Sequence, residues 1–478
     1  MIGGLREAAS RFALAAIVGA IGAVVFVQQP ARAADLGGDC CADLEERVAE
    51  LEATTARKGN KKVSVQVYGK LNRMVTFWDD GQEKNVYVEN NSYSSTRFGF
   101  RGSAKISSDW KGGYRIEMEH RGALSKEVSQ INDNFENNEL EVRHSYMFIE
   151  QEKIGELRWG LTSSPKDDIT KDTHVGGLII DTMHSDFYLN NAFFLRTKGF
   201  NTEVGNGNPS GISVSRARFR DISRCYSTGG AIFDCSTRRN MVVFQSAKFF
   251  GSKEGKGLWG SWGWGEDDIW SAAARYSDNW GENWKVGAGV AYEDLRDENF
   301  NVSGGGLNGF KQKIKEWAGS ASIMHKPTGL FAFGAFSTSE SDATNRENAG
   351  IFTGTSSPEM NAWDAQIGIQ RGFFPLGNTT FWGGYTNTED GIAGACGATR
   401  RCTANFFPGL TTVTEITGSE VDKWYLALDQ EVVAGAMNLY LVYQHITPDV
   451  SLVDSSLNRV PLSLDDFDTV YAGARIYF

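Results

Sequence analysis

Residues Lys111–Arg121 read KGGYRIEMEHR. The even positions Gly112, Tyr114, Ile116 and Met118 are small or apolar, whereas Lys111, Arg115, Glu117, Glu119 and Arg121 are charged. A period of two belongs to an extended strand with one face in an apolar medium and the other in water. Outward from this stretch the pattern repeats. In Arg97–Ser103, Phe98 and Phe100 oppose Arg97 and Arg101; in Trp284–Glu293, Val286, Ala288 and Val290 oppose Lys285 and Glu293. At the end of the chain Val470, Ala472, Ala474, Ile476 and Phe478 share one face.

The connections alternate as well. A strand at Val63–Trp78 is followed by a polar loop to Ser92, and a strand at Tyr93–Ile106 by the tight turn Ser107-Ser108-Asp109. Strand Trp110–Arg121 leads into a loop to Asn138, and strand Glu139–Glu150 into the turn Glu152–Gly155. Further tight turns occur at Lys326–Gly329, Pro375–Gly377 and Ala434–Ala436. Short turns on one side and long loops on the other are the habit of outer-membrane barrels. Strands of ~10 residues with one turn and one loop per hairpin fit about 16 strands into the chain from Lys62 on, 14 or 18 being alternatives. The expected fold is therefore all-β, a transmembrane antiparallel β-barrel. Trp78, Trp110, Trp159, Trp270, Trp284, Trp317 and Trp424 lie near strand ends, where interfacial girdles form.

Arg6 and Arg11, the apolar stretch Phe12–Val27 and the small-residue site Ala31-Arg32-Ala33 read as a secretory signal over residues 1–33. Residues 34–61 then form a periplasmic segment, and 62–478 the barrel. Within the segment, Leu44, Val48 and Leu51 make one helical stripe, either a coiled-coil seam between copies or an amphipathic linker. Beyond the signal no run approaches the ~20 apolar residues of a spanning helix. Net charge is -11, and removal of three arginines and one glutamate with the signal takes it to -13, which disfavours nucleic acid as a partner.

Export places six cysteines in an oxidising compartment. Cys225 with Cys235 and Cys396 with Cys402 are expected as disulfides inside surface loops, free thiols being the alternative; the state of Cys40 and Cys41 stays open. Asp172, His174, Asp181, His184 and Asp186 match no metal-ligand template, so no metal and no cofactor is expected. No Ser/His/Asp arrangement with supporting context occurs, and adjacent strand residues such as His144 and Ser145 point to opposite faces, so no enzyme is expected.

The chain resembles the porins of alphaproteobacteria, of the rhizobial type. The resemblance rests on Asp43–Leu71, Ser95–Glu119, Leu157–Thr173, Trp262–Trp270 and the terminal VYAGARIYF, Val470–Phe478. It implies a homotrimer of 16-stranded barrels in a Gram-negative outer membrane, in contact with lipid and lipopolysaccharide and inserted by the barrel-assembly machinery; apart from the resemblance, the aromatic Phe478 on the alternating strand Val470–Phe478 reads as an assembly signal. The resemblance also implies a constriction loop folded inward after the fifth strand, beginning near Thr162. A general-diffusion porin passing small hydrophilic solutes and ions is expected; a substrate-specific outer-membrane channel is the alternative. The acidic side of the pore is expected at Asp167, Asp168, Asp172, Asp181 and Asp186, and the basic wall at Arg97, Arg101, Arg115, Arg143 and Arg158. Opposed rows of charge between low-dielectric walls set a transverse field. Arg216, Arg218 and Arg220 fit either pore wall or loop surface.

Overall fold

The computed structural model describes residues 62–478 apart from 134–135, 172–189, 191, 199–202, 205–213, 216–217, 220–221, 223–237, 252–255, 266–268, 301–309, 342–358, 390–412, 455 and 457. Its barrel strands are β1 (Gln66–Asp79), β2 in two pieces (Lys84–Asn90 and Arg97–Lys105), β3 (Trp110–Gly122), β4 (Glu136–Gln151), β5 (Gly155–Ser163), β6 (Arg238–Ser246), β7 (Gly257–Gly265) and β8 (Trp270–Trp280). They continue as β9 (Trp284–Phe300), β10 (Phe310–His325), β11 (Leu330–Ser341), β12 (Glu359–Phe374), β13 (Gly377–Glu389), β14 (Val413–Val432), β15 (Met437–Asp454) and β16 (Phe467–Tyr477). The sheet holds 18 strand segments; two are halves of β2 and one, Arg459–Val460, is a short pairing at the tip of β15, which leaves sixteen.

Every neighbour pairs antiparallel, and β16 returns to β1, from Lys70 opposite Tyr477 to Asp79 opposite Asp468. Closure removes both sheet edges, which a lipid-embedded sheet requires because an open edge would leave its backbone polar groups unpaired. The expected phase holds. Ile116, Leu157, Trp159, Val290 and Ile476 are exposed on the outside, while Glu117, His144, Ala291 and Arg475 on the opposite phase are enclosed by the barrel. A single bulge at Arg143 lets both Arg143 and His144 face inward.

Two expectations are corrected. The first concerns the polar loop to Ser92. Asp80 accepts bonds from the backbone N–H groups of Gln82 (3.1 Å) and Glu83 (2.7 Å), closing a tight turn at once. Lys84–Asn90 then pairs with the upper half of β1, Val75 facing Val88, and β2 breaks only at Asn91–Thr96. The second concerns Trp78, which does not sit in a girdle. It is 2 % exposed and packs on Tyr87 and Phe193, because its even position in β1 points inward. Trp110, Trp159, Trp284, Trp317 and Trp424 are exposed outside, joined by Trp262, Trp264, Trp280 and Trp363.

Candidate functional site

The chain leaves β5 at Ser163 and crosses the lumen. Its first anchor is the 3-10 turn Ile169–Lys171. Ile169 is fully buried against Ala273 of β8, Ala291 of β9 and Ala318 of β10. A Cβ at Gly289 would lie 2.7 Å from Ile169 Cδ1, so the wall is kept small where the loop rests on it. Ser320 Oγ donates to the Ile169 carbonyl (2.6 Å), and Arg275 Nη2 donates to the Asp167 carbonyl (2.8 Å). Beside them Lys166 and Glu316 form an ion pair, both side chains 1 % exposed. Facing the other way, Lys171 Nζ lies 5.1 Å from the ring centre of Tyr93, in the break of β2. The turn thus touches β8–β10 on one side and β2 on the other.

A second anchor lies further along the loop. Phe193, Leu195, Phe219 and Ile222 are buried with Trp78 and Tyr87 of the first hairpin and with Ile446, Val450 and Phe467 of the last strands. Arg196 Nε bonds the buried Asp80 carboxylate at 2.7 Å, and Gln130 reaches both Asp80 (3.0 Å) and the Phe194 carbonyl (2.9 Å). The Thr197 backbone bridges to Leu464, and Lys198 N donates to Ser463 O (2.8 Å). Two anchors against opposite sectors of the wall hold the loop across the lumen.

Several of the inward charges between them are paired. Arg97, Arg115 and Arg143 converge on Glu117, at 3.5, 2.5 and 3.3 Å, and Arg143 also pairs with Glu119. Tyr68 links the same carboxylate to Arg115, donating to Glu117 (2.9 Å) and accepting from Arg115 Nε (2.7 Å). Arg101 stands over the Tyr68 ring and donates to Gln66 (2.9 Å), and Arg158 pairs separately with Glu156 (3.4 Å). Of the five expected arginines the structure therefore brings three to one carboxylate and leaves two apart.

On the loop, Asp168 adopts a left-handed backbone (φ 62°), which aspartate tolerates, and its carboxylate is 3.3 Å from Lys171. The barrel wall around the loop disfavours charge on both aspartates. For Asp167 this enclosure, reinforced by the Asp168 charge, pushes the carboxyl up. For Asp168, 68 % exposed to the lumen, Lys171 outweighs the enclosure and holds the carboxyl below the ordinary aspartate range, with Arg238 and Arg97 adding to it. Asp172, Asp181 and Asp186 lie outside the described residues, as do Cys225, Cys235, Cys396, Cys402, Arg216 and Arg220. Arg218 stacks on Phe194 at 4.4 Å, within the second anchor.

Sequence reasoning missed Lys70, Lys171, Arg238 and Arg475 as lumenal charges, and Glu117 as the hub of Arg97, Arg115 and Arg143. Lys70 and Arg475 were within reach, since each lies on the inward phase of an alternating strand. Tyr93 carried no such signal, because a break in a strand has no period.

A model of the Gram-negative porin family matches residues 13–451. The chain belongs to the Gram-negative porin family. This porin is thus a passive channel of the outer membrane. Among solved structures it is similar to the anion-selective porin from Comamonas acidovorans, at 13% identity over 87% of this chain and 100% of that one, with a TM-score of 0.51. The trimer form of OmpT from Vibrio cholerae matches at 13% identity over 87% and 100% of the two chains, TM-score 0.48. Salmonella typhi OmpF in complex with daunomycin matches at 10% over 87% and 99%, TM-score 0.47. At such identities the likeness concerns the fold. No curated protein matches the sequence.

Proposed function

We propose that this porin is a homotrimeric general-diffusion channel of the rhizobial type, without catalytic activity, in which the loop from Ser163 narrows the lumen and sets ion preference. The observation that carries this reading is the paired geometry at the crossing, with Glu117 and Glu119 matched to Arg97, Arg115 and Arg143 beside the Asp168–Lys171 pair. Matched fixed charges orient a hydrated solute without selecting one compound. The same reading makes Arg97, Arg101, Arg115, Arg143 and Arg158 the basic wall and Asp167 and Asp168 the described part of the acidic one.

Trimer formation is supported by an asymmetry of the outer surface. From β1 to β4 the exposed outward residues are chiefly aliphatic, among them Val67, Leu71, Val86, Val88, Ile116, Leu140 and Val142; the tryptophans concentrate from β7 to β14. Lipid interfaces favour aromatic girdles, whereas a flat aliphatic sector suits another copy of the chain. A signal over 1–33, a periplasmic segment over 34–61, disulfides Cys225–Cys235 and Cys396–Cys402, and contacts with lipopolysaccharide and the barrel-assembly machinery complete the proposal on the residue pattern alone.

A substrate-specific channel is the second reading, favoured by the number of cations near β1, β2 and β16. Single-channel recording in planar bilayers separates the two. Current steps arriving in threes, with conductance linear in salt, support general diffusion; saturation with salt would favour a specific channel, and silence from folded protein would overturn both.

A further inference from the structure

The break in β2 is held by its own side chains. Asn91 Oδ1 accepts from the N–H groups of Tyr93 (3.0 Å) and Ser94 (3.3 Å), and Asn72 Nδ2 donates to Ser94 O (3.0 Å). This fixes the Ser94 hydroxyl on the lumenal side, between β1 and β16. Two cations turn to that one oxygen: Lys70 Nζ at 2.7 Å and Arg475 Nη1 at 3.1 Å. Arg97 lies on the next residue, bonded to Ser95 O (3.1 Å) and Ser95 Oγ (3.0 Å).

What sets this place apart from the Glu117 hub is that its two cations meet a neutral hydroxyl and make no direct ion pair. Among the described residues neither Lys70 nor Arg475 has a carboxylate within salt-bridge distance, although each arginine at the hub has one. Arg475 is 8 % exposed, and its Nε is buried without an acceptor. Two like charges sharing a neutral hydroxyl repel, and in a low-dielectric wall that repulsion is strong. An anion reverses its sign. An oxyanion suits the donors offered here, because a guanidinium presents a planar fork, an ammonium a compact point charge, and Ser94, already accepting twice, retains its proton to donate.

We propose that Lys70, Ser94 and Arg475 form a binding step for a small oxyanion, the carboxylate or phosphate group of a passing solute, on the lumenal wall. The site rests on the channel reading above and deepens it. Solutes carrying such a group dwell there, whereas chloride, which offers no paired oxygens to the fork, passes with little delay.

The test is single-channel recording of the full-length mature porin in potassium chloride, with inorganic phosphate or acetate added at constant ionic strength. Saturable reduction of the open current by phosphate is expected, with half-block moved about tenfold higher in Lys70→Gln and in Arg475→Gln, the loss of one charge-assisted bond. Lys70→Arg should restore block, and Lys105→Gln, which removes one positive charge from β2 below the break, should leave it in place. Block by phosphate and acetate alike assigns the site to oxyanions in general; block by phosphate alone assigns it to phosphate. Should a charge-removing variant not fold, Ser94→Ala provides the same comparison with both cations kept and is expected to weaken block. A wild-type current indifferent to both anions, or block unchanged in the variants, would overturn the proposal while leaving the chloride-conducting channel intact; absence of any chloride current would instead fail the channel reading itself.

Discussion

Phe478 and Gly69 close the barrel. Gly69 N donates to Phe478 O (2.9 Å), Phe478 N donates to Gly69 O (3.1 Å), and the phenyl ring covers the glycine so closely that a Cβ there would meet it. That Cβ would also come within 2.7 Å of the Arg97 carbonyl oxygen on the other neighbouring strand. Phe478 thus pairs across the seam at a height where the strands on both sides crowd the Gly69 Cα. Gly69→Val, and deletion of Phe478, should both lower the amount of folded protein in the outer membrane. Heat-modifiable migration on a semi-native gel reads this directly, and wild-type levels for both variants would show that the seam closes without this contact.

The arginine hub gives a selectivity experiment. Glu117→Gln removes the carboxylate shared by Arg97, Arg115 and Arg143 and leaves Glu119 to pair with Arg143 alone. Reversal potential in a salt gradient should move toward anions, and by more than for Glu156→Gln, which uncouples only Arg158. Equal shifts would mean that the hub is not at the narrowest part.

Asp167→Asn with Asp168→Asn should also shift selectivity toward anions. The two carboxyls separate on acidification. Asp167, pushed up, is protonated first as pH falls, whereas Asp168, held down by Lys171 against the enclosure, keeps its charge to lower pH. Asp168→Asn should therefore retain its effect at mildly acidic pH after that of Asp167→Asn has faded. The reverse order, read from reversal potentials between neutral and mildly acidic pH, would contradict this assignment.

Lys166 and Glu316 tie the loop to β10 in a site closed to water. Breaking a buried pair by removing one partner strands the other charge and costs about 3 kcal/mol or more. Glu316→Gln should lower the denaturant midpoint and raise open-channel noise. Quiet channels of wild-type stability would place the hold of the loop in Ile169 and its alanine bed instead.

Arg196→Ala cuts the second anchor at Asp80 while leaving the sixteen-strand wall untouched. Limited proteolysis of the loop should accelerate with no change in the heat needed to unfold the barrel. A parallel loss of barrel stability would mean that the anchor holds the hairpin of β1 and β2 as well as the loop.

Most of the wall was legible in the sequence because a strand repeats every two residues and declares its faces. Arg97, Arg115 and Arg143 could be assigned inward from phase alone, and the turns at Lys326–Gly329 and Pro375–Gly377 from their Pro and Gly. Phase failed where the period stops. The break at Asn91–Thr96 pairs through side chains, and Trp78 obeyed its inward phase although its place near a strand end suggested a girdle.

By itself the amino-acid sequence determined the barrel, its approximate strand number, its inward arginines and the start of the crossing loop, because these follow from local alternation and turn chemistry. Only the tertiary structure decided which charges meet. Glu117 gathers arginines from three strands, Lys171 reaches Tyr93 across the lumen, and Lys70 and Arg475 share Ser94 from opposite ends of the chain. Such meetings depend on strand register and on where a long loop lands. Both are set by closure of the whole sheet rather than by any one segment.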